Sequence, residues 1–206
     1  MIATDAIFVR SKWAQAGGPS AHDLDALAAL IREIITEITP LRGLQLAFEP
    51  SIRVIHCYAQ LQETTMLGNE ACAVVERELV ATAPAWSEAQ VSRLENVFDT
   101  TGVSAATEPA FHYVVETDVD EGWWPEFTRW YDEEHMPGLA AVPGCVHAAR
   151  YINHDHGPRS HASYLLVTEN TKGSPPWMLM TDSAWSSRVR PHFVNTIRTM
   201  MRSLRA

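Results

Sequence analysis

The sequence predicts an α+β fold built from two ferredoxin-like units in tandem. Two observations carry this: a strand–helix–strand–strand order can be read twice along the 206 residues, and a Gly-, Ser- and Thr-rich stretch without periodicity, residues 101–109, separates the two readings. A chain of this length with 46% hydrophobic residues can bury a sizeable core in one large unit or in two of roughly a hundred residues each. The expected division is 1–105 and 106–206, with little residue identity between the halves.

In the first half, Asp5–Trp13 alternates in part and runs into Gly17-Gly18-Pro19, a strand and then a turn. Leu24, Leu27, Leu30, Ile31, Ile34, Ile35 and Ile38 recur at helical spacing up to Pro40, with Ser20 or Asp23 available as a cap, so 21–39 reads as a helix. Leu44–Phe48 and Val54–Leu61 read as strands. Ala71–Ala81 suits either a strand or a helix. Ser87–Phe98 is more helix-like, because Ser87 and Gln90 have capping-box spacing.

In the second half, Phe111–Thr117 alternates, Val146–Tyr151 and Ala162–Val167 are strand-like, and a His- and Gly-rich turn joins the last two. Val194, Ile197, Met201 and Leu204 suit a helix, whereas Thr196, Arg198, Met200 and Arg202 suit a strand. A short helix followed by a strand is expected there, on the family resemblance described below.

Between these strands lies the most informative stretch, Trp123–Gly144. At about 100° per residue Trp124, Thr128, Tyr131, His135 and Leu139 share one helix face, with Phe127 at its edge, while Trp123 and Trp130 fall elsewhere. Pro125 suits a first helical turn, and Pro137 disfavours helix at Met136, so the helix is expected to end just after His135. Two readings of His135 follow. It is either a buried imidazole satisfied by a carbonyl within an aromatic core, or a proton-transfer group at the mouth of an aromatic pocket. A helix C-terminus and the neighbouring Asp132, Glu133 and Glu134 would favour its protonated ring and bring its pKa toward neutrality or above.

The run W-Y-D-E-E-H-M-P-G-L-A-A-V-P-G, Trp130–Gly144, followed by C-V-H-A-A-R-Y, resembles the signature of the EthD-like branch of the dimeric α/β-barrel superfamily. Trp185–Asn195, WSSRVRPHFVN, resembles the C-terminal part of two-repeat members. The resemblance covers about the last hundred residues and implies that the two units form a pseudo-dimeric α/β barrel enclosing a pocket. It favours the functional reading of His135, with Tyr131 hydrogen-bonding a developing oxyanion, Arg150 or His192 holding a carboxylate or phenolate, and Trp124 and Phe127 stacking on a ring. His147 and Tyr113 complete the candidate substrate-binding set. The first half has no equivalent motif and is expected to act as a lid and dimerisation scaffold, the chain being a candidate homodimer.

The implied function is cofactor-independent acid/base chemistry on a small aromatic or cyclic intermediate: isomerisation, elimination, cyclisation or decarboxylation. A non-catalytic small-molecule binder and a cofactor-free monooxygenase are the alternatives. A formal net charge of −9 argues against a nucleic-acid surface. No run of some 18 apolar residues is present and the N-terminus is strand-like, so a cytoplasmic protein without membrane partners is expected. Cys57, Cys72 and Cys145 lack paired spacing and read as buried thiols. His154, Asp155, His156 and His161 offer ligand types for zinc or iron, but Asn153, Gly157 and Pro158 make the stretch a turn. No metal or other cofactor is therefore expected.

Overall fold

The structure, a computed structural model, describes residues 1–204. They fall into two compact units, the first formed by 1–96, 153–156 and 201–204, the second by 97–152 and 157–200.

The first unit opens with β1 (Ile2–Trp13), followed by α1 (Ala21–Ile38), β2 (Leu41–Glu49), β3 (Val54–Leu67), α2 (Asn69–Thr82) and the bulk of β4 (Trp86–Thr101). Helix α1 starts where the sequence places it. Ser20 Oγ accepts from the Asp23 N–H and the Asp23 carboxylate accepts from the Ser20 N–H, satisfying two donors that a helix start otherwise leaves open. The strands lie in the order β4–β1–β3–β2, with β1 antiparallel to both neighbours, so that Val9 stands opposite Cys57 on one side and Val91 on the other. Ile7, Val9, Leu46, Ile55 and Cys57 on one sheet face bury against Leu27, Ile31, Val75 and Leu79 of the two helices.

Two expectations change here. Ser87–Phe98 is part of strand β4, not a helix. Val91, Ser92, Arg93 and Leu94 are all buried, and a segment covered on both faces beside β1 gains more from sheet pairing than from a local cap. Ala71–Ala81, open between two readings, is helical in α2.

The second unit repeats the strand–helix–strand–strand–helix–strand order. It comprises β5 (Phe111–Val119), α3 (Trp124–Trp130), a π turn at Tyr131–His135, α4 (Met136–Ala140), β6 (Cys145–Asn153), β7 (Ser160–Leu166), α5 (Pro175–Thr181), α6 (Ala184–Val189) and β8 (Phe193–Leu204). Its strands run β6–β7–β5–β8; β7 is antiparallel to both β5 and β6, and Tyr164 lies opposite both Tyr113 and Ala148. Tyr113, Val115, Ala148, Ala162 and Tyr164 turn one face of this sheet toward Phe127, Trp130, Tyr131, Leu139 and Trp177. The other face carries buried polar groups. His112 shares a 2.6 Å hydrogen bond with Ser163, and His161 lies 3.4 Å from Glu116. No helix among the described residues is long and apolar enough to cross a membrane.

The helical stretch does not stop after His135. Pro137 has no N–H to donate, and in an unbroken α-helix its ring would collide with the preceding turn. The chain widens instead. The Met136 N–H reaches back five residues to the Tyr131 carbonyl, and Pro137 then occupies the first turn of α4, where no donor is needed.

Candidate functional site

The π turn decides which side chains meet. It brings residues five apart into register, so His135 stacks on Trp130 with ring centroids 4.1 Å apart and meets Tyr131 edge-on at 5.3 Å. Trp130, absent from the face that regular helix spacing predicts, becomes a wall of the site; Trp124, one of the stacking candidates, is carried away and packs on Phe127 and under Arg159.

These groups border a cavity of about 30 Å³ inside the second unit. Tyr113 and Tyr164 line it from β5 and β7, Trp130, Tyr131 and His135 from the helical side, Trp177 and Thr181 from α5, and Arg190, Phe193 and Arg198 from the segment that leads into β8 and from β8 itself. This volume matches roughly one water molecule, whereas a dry cavity that admits benzene measures about 150 Å³. An aromatic substrate therefore enters only if the walls part. The first unit holds a larger hollow of about 330 Å³ beside Trp13 and Trp86. Its one ionisable lining group, Asp23, is engaged in capping α1. Size favours that hollow, but the convergent polar chemistry lies in the smaller one.

His135 is 7% exposed, and its Nδ1 meets no hydrogen-bond partner. Burial, reinforced by the guanidinium of Arg190, pushes its pKa down to about 3. The expected rise toward neutrality is thus reversed, for two reasons visible in the geometry. The chain continues into α4, so His135 faces no open helix C-terminus. The three carboxylates also turn elsewhere: Asp132 to Arg150 at 2.9 Å, Glu133 to Arg129 at 3.4 Å, and Glu134 to the Ser183 hydroxyl. The imidazole is neutral at physiological pH, with an acceptor nitrogen available to a bound molecule. Burial pushes the Tyr131 hydroxyl well above its usual range, although Arg150, Arg190 and Arg198 all pull the other way, and it raises Tyr164 too. Tyr164 donates its hydroxyl to the Met136 sulfur at 3.0 Å.

Of the residues singled out in the sequence, the cavity brings together His135, Tyr131 and Tyr113. Phe127 is fully buried behind Tyr131. Arg150 is 1% exposed; it binds Asp132 through one nitrogen, lies over the Tyr131 ring at 5.3 Å, and leaves Nε and Nη1 without partners. His192 bonds Asp120 at 3.0 Å and stacks on Trp123, and His147 bonds Asp99 at 3.2 Å. Sequence reasoning did not select Trp130, Tyr164, Trp177, Arg190 or Arg198. The available signals were the place of Arg190 within the WSSRVRPHFVN run and the strand alternation that puts Arg198 on the same face as Thr196 and Met200.

The histidine-rich turn disperses its side chains. His154 pairs with Glu95 at 2.9 Å, His156 with Glu76 at 3.1 Å, and Asp155 forms a two-point bridge with Arg93. Among the described residues no three His, Cys, Asp or Glu side chains are grouped to hold a metal ion.

No protein-family model and no curated protein matches the sequence. Solved structures match over nearly the whole chain. A protein from Fusobacterium nucleatum subsp. nucleatum, provisionally described as a monooxygenase, superposes with a TM-score of 0.66 at 8% identity, covering 100% of this chain and 94% of that one. An anthrone oxidase-like protein gives 0.56 at 11% identity, with coverages of 99% and 94%. A ferredoxin-fold protein from Listeria monocytogenes, related to antibiotic biosynthesis monooxygenases, gives 0.54 at 9% identity, with coverages of 100% and 97%. At such identities the likeness establishes the fold. This chain is an α+β protein of ferredoxin-like units, the fold it shares with these structures.

Proposed function

We propose that the second unit is a small-molecule enzyme in which His135 exchanges a proton with an acidic C–H or O–H of a bound aromatic or cyclic molecule, without a cofactor. The observation that carries this reading is a neutral imidazole, fixed by stacking on Trp130, with an unpartnered nitrogen beside a cavity that tyrosine rings also line. Loss of a substrate proton to His135 leaves an anion, and the low basicity of the buried ring means that this anion needs a cationic partner to persist. Isomerisation, elimination and cyclisation pass through such an anion, and decarboxylation generates its counterpart by loss of CO₂ and then requires a proton to be returned to it. Placement in the EthD-like branch, on the W-Y-D-E-E-H-M-P-G run, belongs to the same proposal. So do descent of 1–105 and 106–206 from one duplicated unit, pairing into a homodimer and a cytoplasmic location.

A second reading is favoured by the descriptions of the structural neighbours, two of which refer to monooxygenases and one to an anthrone oxidase-like protein. Here the same anion is intercepted by dioxygen rather than reprotonated.

Both readings begin with proton removal, so hydrogen–deuterium exchange tests them together. Purified protein in D₂O is expected to accelerate exchange at the acidic C–H of at least one member of a panel of small cyclic ketones and phenols, followed by NMR. His135→Gln should lower that rate about 10²–10⁴-fold while circular dichroism stays native. Equal exchange by a folded His135→Gln variant would sink the assignment, and oxygen uptake under the same conditions separates the second reading from the first.

A further inference from the structure

The mouth of the cavity carries more positive charge than the protein neutralises. Arg190 and Arg198 both line it, and the Lys172 ammonium lies 5.3 Å from the ring centroid of Tyr113, which also lines it. Among the described residues no carboxylate pairs with any of the three cations. Elsewhere in the unit Arg129 pairs with Glu126 and Glu133, Arg150 with Asp132, and Arg188 with Glu126, while Arg159 stacks on Trp124. A shortage of acids does not explain the difference, since 25 Asp and Glu face 16 Lys and Arg in the chain.

The three side chains are exposed, and one of them is tethered. Arg190 donates from Nη1 to the Thr181 carbonyl at 3.0 Å, which fixes its guanidinium at the rim. Arg198, on β8, lines the same cavity as Tyr113. Both cations act on the Tyr113 and Tyr131 hydroxyls, and Arg190 also acts on His135, so their fields converge on the same small volume. Two guanidiniums present planar forks of donors that match a carboxylate, and a cationic rim on an acidic protein draws anions toward one opening.

We infer that the molecule taken into this cavity carries a carboxylate, held at the mouth by Arg190 and Arg198, so that its uncharged part projects inward toward Tyr131 and His135. This deepens the proposed function and rests on the same cavity being the functional one. The assignment of the anion-holding role moves from Arg150 and His192, which are paired with Asp132 and Asp120, to two arginines supplied by β8 and the segment before it. Lys172 adds to the field that steers the anion in.

Benzoate and benzamide, which differ in charge but little in shape, are suitable probes for titration calorimetry on the full chain. Benzoate is expected to bind at least tenfold more tightly than benzamide and to weaken on raising NaCl from 50 to 500 mM, with benzamide insensitive to salt. Arg190→Gln and Arg198→Gln should each remove about tenfold of the benzoate affinity, whereas Arg188→Gln, whose partner Glu126 lies outside the cavity, should leave it unchanged. Equal binding of the two probes, binding of neither, or full benzoate affinity in the Arg190→Gln/Arg198→Gln double variant would overturn the inference. Failure of the proton-transfer reading looks different: benzoate preference would persist in wild-type protein that accelerates no exchange in D₂O.

Discussion

Lowering the pH from 7.5 to 5.0 should cost this protein stability through two named imidazoles. His112 and His135 are buried on opposite faces of the second unit's sheet, and burial pushes the pKa of each from 6.5 to about 3. His161 and His147 add to the effect at His112, and Arg190 adds to it at His135. Above pH 6.5 both rings are neutral whether the chain is folded or not, so neither contributes to the pH dependence. Below 6.5 the unfolded chain takes up a proton at each position and the folded chain does not, so stability falls with pH until about 3, where the folded rings also protonate. At pH 5, one and a half units below the unfolded value, each group costs about 2 kcal/mol at about 1.4 kcal/mol per unit. Urea unfolding at the two pH values measures the loss directly. Wild type should lose about 4 kcal/mol from the pair, and His112→Gln and His135→Gln should each lose about 2 kcal/mol less, because glutamine does not titrate. Comparing variants with wild type cancels the carboxylates, which titrate alike in all of them. An identical loss in wild type and His135→Gln would show that the ring is already protonated or solvated in the folded chain, and the neutral-imidazole argument would fall.

Two further outcomes test the packing around the units. Arg93 and Asp155 form a bridge whose side chains are only 6% and 13% exposed, so Arg93→Ala leaves a largely buried carboxylate unpaired and should cost about 3–5 kcal/mol in urea unfolding. Gly102→Ala would place a Cβ 2.2 Å from the Cys145 carbonyl oxygen and 2.8 Å from the Val146 carbonyl carbon, backbone atoms that cannot swing aside, and a loss of about 1–3 kcal/mol in the same assay is expected.

Much of the fold was legible because the physics that fixes it is local. The apolar repeat from Leu24 to Ile38 and the Ser20–Asp23 box determine α1, and both features are visible without knowing what α1 packs against. Strand β4 was misread for the converse reason. Ser87 and Gln90 have the spacing of a helix start, but Val91 and Leu94 are held by β1, more than eighty residues earlier in the chain, and no local pattern reports that pairing. The candidate site divides in the same way. His135, Tyr131 and Tyr113 are found from helix spacing and strand alternation. Arg190 and Arg198 reach the cavity through the return of the C-terminal strand to β5, a non-local step.

The π turn links the two levels. A proline two residues after a histidine reads in sequence as the end of a helix, and an end there would expose His135 to free carbonyls and solvent, the setting of a protonated ring. By passing through one widened turn, the chain accommodates Pro137 and continues, which closes the helical layer over His135 and aligns it with Trp130 instead of Trp124. The same backbone feature therefore changes the neighbours of the imidazole, its burial and its charge. A residue whose sequence context argues for a cation becomes a neutral group, and the positive charge beside it is supplied from β8 and the segment before it, by Arg198 and Arg190. The cationic groups and the neutral imidazole thereby lie on different elements of the unit, which is the arrangement the proposed reaction requires: an anion stabilised at one end of a bound molecule while a proton is exchanged at the other.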